Sequence, residues 1–150
     1  MYNFDYKTML LKTRCFGEIQ IKKEEIIRFT EPILGFGKYN QYILIENRSV
    51  FPTFWLQSVD NLELAFPVVS PFFVDKGYSI RLDARDFDDI NLKELDDIII
   101  LTLLVVPQDM SLIRTNLRAP IIYNPIKKLA KQVVLQEEKY PIHFYVMDDN

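Results

Sequence analysis

One cysteine and one histidine are present in 150 residues. Cys15 has no second cysteine to pair with, so no intramolecular disulfide forms and a reducing compartment fits. A structural zinc site takes four cysteine or histidine ligands, and Cys15 with His143 supplies two. A serine or cysteine nucleophile needs an activating base. His143 is the only ordinary candidate for that base, and no G-x-S-x-G elbow exists. Glycine is scarce, with 4 residues, which excludes collagen-like and flexible-linker character. Long apolar runs are missing too: I-I-I-L-T-L-L-V-V at 98–106 is too short to span a bilayer. The opening M-Y-N-F-D-Y-K-T-M-L has no basic start leading into an apolar stretch, so no secretory signal is expected. A soluble, cytoplasmic protein is the expectation. The formal charge of −3 lacks the concentrated positive footprint of nonspecific nucleic-acid binding.

What is present is core-forming material. The chain is 49% hydrophobic and 26% charged, which fits one folded domain over 1–150. Strand signals dominate. E-I-Q-I (18–21), Y-I-L-I-E (42–46), F-W-L-Q-S (54–58) and Y-S-I-R-L (78–82) read as strands, the last alternating cleanly. L-E-L-A-F-P-V-V (62–69) starts as a strand, and Pro67 marks an edge or bulge because it lacks a ladder donor. Ile98–Val106 reads as a central strand covered on both sides. S-L-I-R-T-N-L, A-P-I-I-Y, Q-V-V-L-Q and I-H-F-Y-V supply up to four more strands. The predicted fold is mostly β: a small antiparallel, closed or half-closed β-barrel with one or two short helices. Periodicity leaves a sandwich open.

Two segments read as helices. D-F-D-D-I-N-L-K-E-L-D-D (86–97) has an acidic start and an apolar side of Phe87, Ile90 and Leu95. Asn124 followed by Pro125 is an N-cap and first-position signal for a short I-K-K-L-A-K helix, with Ile126, Leu129 and Ala130 inward.

Several clusters invite a chemical reading. Asp83, Asp86, Asp88, Asp89, Glu94, Asp96 and Asp97 crowd one stretch. They form a solvated helix face, a cation or acid–base site, or an acidic patch steering a basic partner. The calcium-loop pattern is absent. I-L-G-F-G-K-Y-N-Q-Y (33–42) lacks the spacing of a phosphate or dinucleotide loop, so Gly35 and Gly37 permit a turn that places Phe36 in the core or against a partner. V-F-P-T-F-W (50–55) and S-P-F-F-V-D-K-G-Y (70–78) set aromatics beside turns. Phe72 and Phe73 point to opposite faces of an extended chain, and exposed aromatics anchor interfaces. Arg114, Arg118, Lys127, Lys128 and Lys131 form one basic cluster, with Lys127 and Lys131 one helical turn apart.

T-N-L-R-A-P-I-I-Y-N (115–124) has no metal ligands, no phosphate loop and no nucleophile arrangement, yet it carries a resemblance. It is similar to the T-x-N-L-x-A-P-I-x-x-N signature of the FliW family, the bacterial flagellar assembly factors, which is followed by a short helix and a glutamine-led strand. Asn116, Leu117, Ala119, Pro120, Ile121, Asn124 and Gln132 match it. F-W-L-Q-S-V-D-N-L-E-L-A-F-P-V-V-S-P-F-F-V-D-K-G-Y-S-I-R-L resembles the family's L-Q-S segment, A-F strand, D-P-F turn and tyrosine-led strand, and I-I-R-F-T-E-P-I-L-G-F resembles its F-x-x-G-L-P-G-F stretch. The segments run in family order over roughly 14–138. Departures fall at Pro32, Ile33 and Leu34, at Ser70 where aspartate is common, and at Ala130 where glycine is common. They bear on local turn geometry and partner preference.

The resemblance implies binding, not catalysis, and no cofactor or metal. Its implied partners are cytosolic flagellin and the carbon storage regulator CsrA, a dimeric RNA-binding repressor of flagellin translation. Flagellin and CsrA exchange on the family's members, so accumulating flagellin frees the repressor. Turns and exposed aromatics are the expected contact points: Phe36, Phe72, Phe73 and Asn116, with Arg118, Lys127 and Lys131 from the basic cluster. Asn116 has a second reading, as a residue that satisfies backbone groups in a turn. Other readings are a small barrel binding RNA directly, a carboxylate–metal enzyme, and a scaffold with no regulatory role.

Overall fold

The computed structural model describes residues 7–46, 53–93 and 97–147. Alternation between the two faces of each strand builds the architecture. β1 (Thr8–Thr13) and β2 (Gly17–Lys22) form a separate antiparallel hairpin. The main sheet comprises β3 (Ile27–Phe29), β4 (Gln41–Glu46), β5 (Thr53–Ser58), β6 (Ala65–Val69), β7 (Ile99–Val105), β8 (Arg114–Thr115), β9 (Ile121–Asn124), β10 (Leu129–Gln132) and β11 (Phe144–Tyr145). Following hydrogen-bonded neighbours, β7-β6-β5-β4-β3-β10-β9 returns to β7, which closes a seven-stranded barrel. Every pair in it is antiparallel except β3 with β10. Closure gives each of the seven strands a paired neighbour on both sides.

Inward positions fill the barrel: Phe29, Tyr42, Leu56, Val68, Leu101, Ile121 and Tyr123 pack together. Outward positions of the same strands serve other layers. Ile43 packs beneath the β1–β2 hairpin against Leu11 and Ile21. Ile122, between the inward Ile121 and Tyr123, packs against Ile90 and Leu92. Burying one such aliphatic side chain contributes roughly 1.5–3 kcal/mol.

Among the described residues, two α-helices lie outside the barrel. α1 (Pro71–Val74) opens with Ser70 in the cap position and proline at the first helical position. α2 (Ala84–Asp89) opens with a capping box: Asp83 accepts from the Asp86 N–H and Asp86 accepts from the Asp83 N–H. It stops at Ile90, and Asn91 turns with φ 52°. The expected helix over 86–97 is thus shorter and starts earlier; Phe87 and Ile90 do face inward, and Leu95 lies outside the described residues.

The expected helix at 126–131 is not formed. Asn124 Oδ1 accepts from the Ile126 and Lys127 N–H groups, as an N-cap would. The chain then takes a left-handed step at Lys128, φ 57°, and returns as β10 paired with β9. Capping and turn formation use the same side-chain chemistry, and here the turn wins. Pro67 does not mark an edge strand either, since β6 is paired on both sides. It precedes the ladder to β7, which begins at Val68↔Leu103, so its missing N–H leaves that ladder intact. β7 is central as expected, with pairs to β6, β8 and β9, although its ends are exposed.

Candidate partner-binding surface

The segment 115–121 is a bulge between two ladders on the same strand. Thr115 pairs with Leu104 and Ile121 pairs with Leu101. Six steps along one strand therefore face three along the other, leaving three extra residues. Asn116 makes this excursion possible: its Oδ1 accepts from the N–H groups of Arg118 and Ala119. Leu117 is driven to the fully buried interior, against Tyr78, Leu135 and Tyr140. The Arg118 guanidinium donates to the carbonyls of Tyr140 at 2.8 Å and Glu138 at 3.1 Å. Residues 118–120 then pair with the continuation of β10, because Val133 N–H donates to Pro120 C=O and Leu135 N–H to Arg118 C=O.

Tyr78 ties this excursion to α1. Its hydroxyl donates to Leu117 C=O at 2.8 Å, and its ring meets Tyr140 at 4.5 Å and the edge of Phe72 at 5.8 Å. Burial, helped by neighbouring Tyr140 and Glu137, holds that hydroxyl far above the ordinary tyrosine range. Phe72 and Phe73 stand out from this buried base, 45% and 59% exposed.

The candidate contact residues fall into separate places. Phe72, Phe73, Asn116 and Arg118 share the neighbourhood joined by Tyr78 and Tyr140. Phe36 lies elsewhere, edge-on to Phe66 at 4.8 Å, on the turn that Gly35 allows with φ +90°. Lys127 is exposed on the β9–β10 turn. Lys131 is only 4% exposed, and its Nζ sits 3.0 Å from Asp86 Oδ1 and 2.8 Å from Asp89 Oδ2. The expected shared helix face of Lys127 and Lys131 is therefore absent, because a strand places them differently. Lys131 also gives Asp86 and Asp89 a role that none of the sequence readings included: they neutralise a buried ammonium. The Lys131 hydrogen bond pulls the Asp89 carboxyl below its ordinary range, against the opposing effect of burial. Burial alone would lower the Lys131 pKa, but the bonds to Asp89 and Asp86 together raise it. Among the described residues, no group of three or more His, Cys, Asp or Glu side chains is placed to hold a metal ion. Nor is any helix among them long and apolar enough to cross a membrane.

Sequence reasoning missed the contribution of Gln132. Its Nε2 donates to Ala119 C=O and its Oε1 accepts from the Leu34 N–H, bridging the 116–120 excursion to the 31–34 turn. Its place in the family pattern was the only signal.

A closed barrel with a bulged strand and outlying aromatics defines a class, the small β-barrels that present side chains from appended turns and helices. The FliW protein family model matches residues 10–146. The flagellar assembly factor FliW of Ruminiclostridium cellulolyticum is 40% identical over 94% of this chain and 96% of its own length. That of Alkaliphilus metalliredigens is 37% identical over 94% and 88%. A crystal structure of the flagellar assembly factor FliW superposes with a TM-score of 0.86 at 29% identity, covering 95% of this chain and 99% of that one. The chain belongs to the FliW family of flagellar assembly factors.

Proposed function

We propose that this protein works by exchanging partners in the cytoplasm. It holds flagellin before export, and when flagellin is scarce it binds CsrA and lifts repression of flagellin translation. The observation that carries this reading is family membership along almost the whole chain, residues 10–146. Exposed aromatics on a supported helix favour binding, since such side chains anchor interfaces at low entropic cost. Exchange needs no energy source: the two ligands divide one pool of protein according to affinity multiplied by concentration. An effect on RNA binding by CsrA away from its RNA site requires different affinities for the RNA-competent and RNA-incompetent states. Phe72 and Phe73 are the leading contact residues, with Phe36 and Lys127 as further accessible candidates. Asn116, Arg118 and Lys131 act by holding the surface in shape.

Calorimetric titration with CsrA from the same bacterium, followed by flagellin added to the complex, tests this reading. Saturable CsrA binding reversed by flagellin is expected. Binding of neither folded partner contradicts the reading, and binding of flagellin alone reduces it to a chaperone role.

A further inference from the structure

The continuation of β10 has one paired side and one open side. Val133 and Leu135 turn their backbone toward 118–120. The alternate residues face the line of β3. There the pairing runs Arg28 N–H to Lys128 C=O, then Thr30 N–H to Ala130 C=O. The next donor in that register is position 32, facing Gln132 C=O. Position 32 is proline, which has no N–H. The ladder stops, and the chain turns away through Ile33 to Phe36, where Phe36 N–H reaches Ile33 C=O. The N–H and C=O of Val134 and the N–H of Gln136 are left without a hydrogen-bond partner among the described residues. These groups lie along a groove of about 740 Å³, whose walls include the 31–34 turn and the 81–86 segment.

Side chains in the groove add selectivity. Leu34 and Val134 are 64% and 58% exposed beside the open edge. The charged residues lining it are mostly engaged: Glu31 with Arg85, Asp86 with Lys131, Glu137 with Lys139, and Asp83 as the cap of α2. Arg81 is exposed and has no ion-pair or hydrogen-bond partner among the described residues. Arg81 is thus the one charged side chain of the lining left without a partner among the described residues.

We propose that the backbone edge at 132–136 is a docking site for an extended, acidic strand of a partner polypeptide, which pairs with Val134 and places a carboxylate against Arg81. Main-chain bonds hold the strand, while Leu34 and Val134 receive its apolar side chains. The inference rests on the reading of the protein as a partner-binding module.

Residue-resolved hydrogen exchange on the full chain tests it, with two probes. One is flagellin; the other is an end-blocked synthetic peptide in which valine alternates with glutamate and threonine. The Val134 and Gln136 amides are expected to gain protection with at least one probe. Val134→Pro removes an N–H the fold does not use, so it is expected to melt as the parent does and to bind that probe about tenfold more weakly. Arg81→Glu weakens binding similarly, and Arg81→Lys preserves it. Flagellin binding that leaves both amides unprotected, with no protection by the peptide, overturns the edge but not the binding reading. Edge protection by the peptide without any flagellin binding does the reverse. Protection that depends only on the protein's own concentration, with a dimer in light scattering, assigns the edge to a second copy and overturns the proposal.

Discussion

The 115–121 excursion and α1 are joined through Tyr78, yet they spend their residues in opposite ways. In the excursion, polar side chains turn onto the backbone: Asn116 onto two N–H groups and Arg118 onto two carbonyls. Leu117 is fully buried. In α1, only Pro71 is buried, while Phe72 and Phe73 remain at the surface. A recognisable motif and an accessible surface are thus different things. The motif builds the platform, and its neighbour carries the side chains that solvent or a partner can reach.

That contrast is broken most strongly from the inside. Leu117→Ala removes a fully buried side chain between Tyr78, Leu135 and Tyr140. It is expected to cost about 3–4 kcal/mol in denaturant unfolding. Asn116→Ala leaves two turn N–H groups without their acceptor and is expected to cost roughly 2 kcal/mol. Tyr78→Phe cuts the bond that joins the two regions, and a loss of about 1 kcal/mol in the same assay sharpens the picture of a coupled pair. Phe73→Ala sits on the other side of the comparison. Its effect on unfolding is expected to stay within about 0.5 kcal/mol.

Acid titration separates a third element, the Lys131 ion pair. The carboxyl of Asp89 is lowered in the folded state, so its contribution is present above the ordinary carboxylate pKa and is lost as pH falls through the lowered value. Lys131→Met removes the main cause of that lowering and is expected to move the onset of acid unfolding to higher pH, read by circular dichroism. An unchanged onset would show that Lys131 does not set the acid limb.

Much of the barrel was legible because its strands alternate, as in β4 with Tyr42 inside and Ile43 outside. Alternation did not suffice at 78–82, expected as a strand: it forms none, and the N–H and C=O of Ser79 bond to the Tyr140 hydroxyl instead of to a neighbouring strand. Chain closure was legible only as one choice among β architectures, since the parallel pairing of β3 with β10 joins residues about a hundred positions apart. The helices were harder. Ser70–Pro71 and Asn124–Pro125 carry the same start signal, and only the first opens a helix. What separates them is tertiary: Asn124 Nδ2 also donates to the carbonyls of Ile90 and Asn91, which fixes the second as a hairpin turn. The fate of Lys131 was hidden for a related reason. Its partners sit forty-five and forty-two positions away, on a helix whose start at Asp83 was itself misread. The exposed phenylalanines were legible as residues but not by their surroundings, because Phe72 rests on Tyr78, which in turn packs on the distant Tyr140.

The most direct test of the division between platform and surface is a calorimetric flagellin titration of Phe73→Ala, with its thermal melt measured on the same sample. A parent-like cooperative melt and binding weakened about tenfold are expected. Unchanged affinity, or loss of the cooperative melt, would contradict that division.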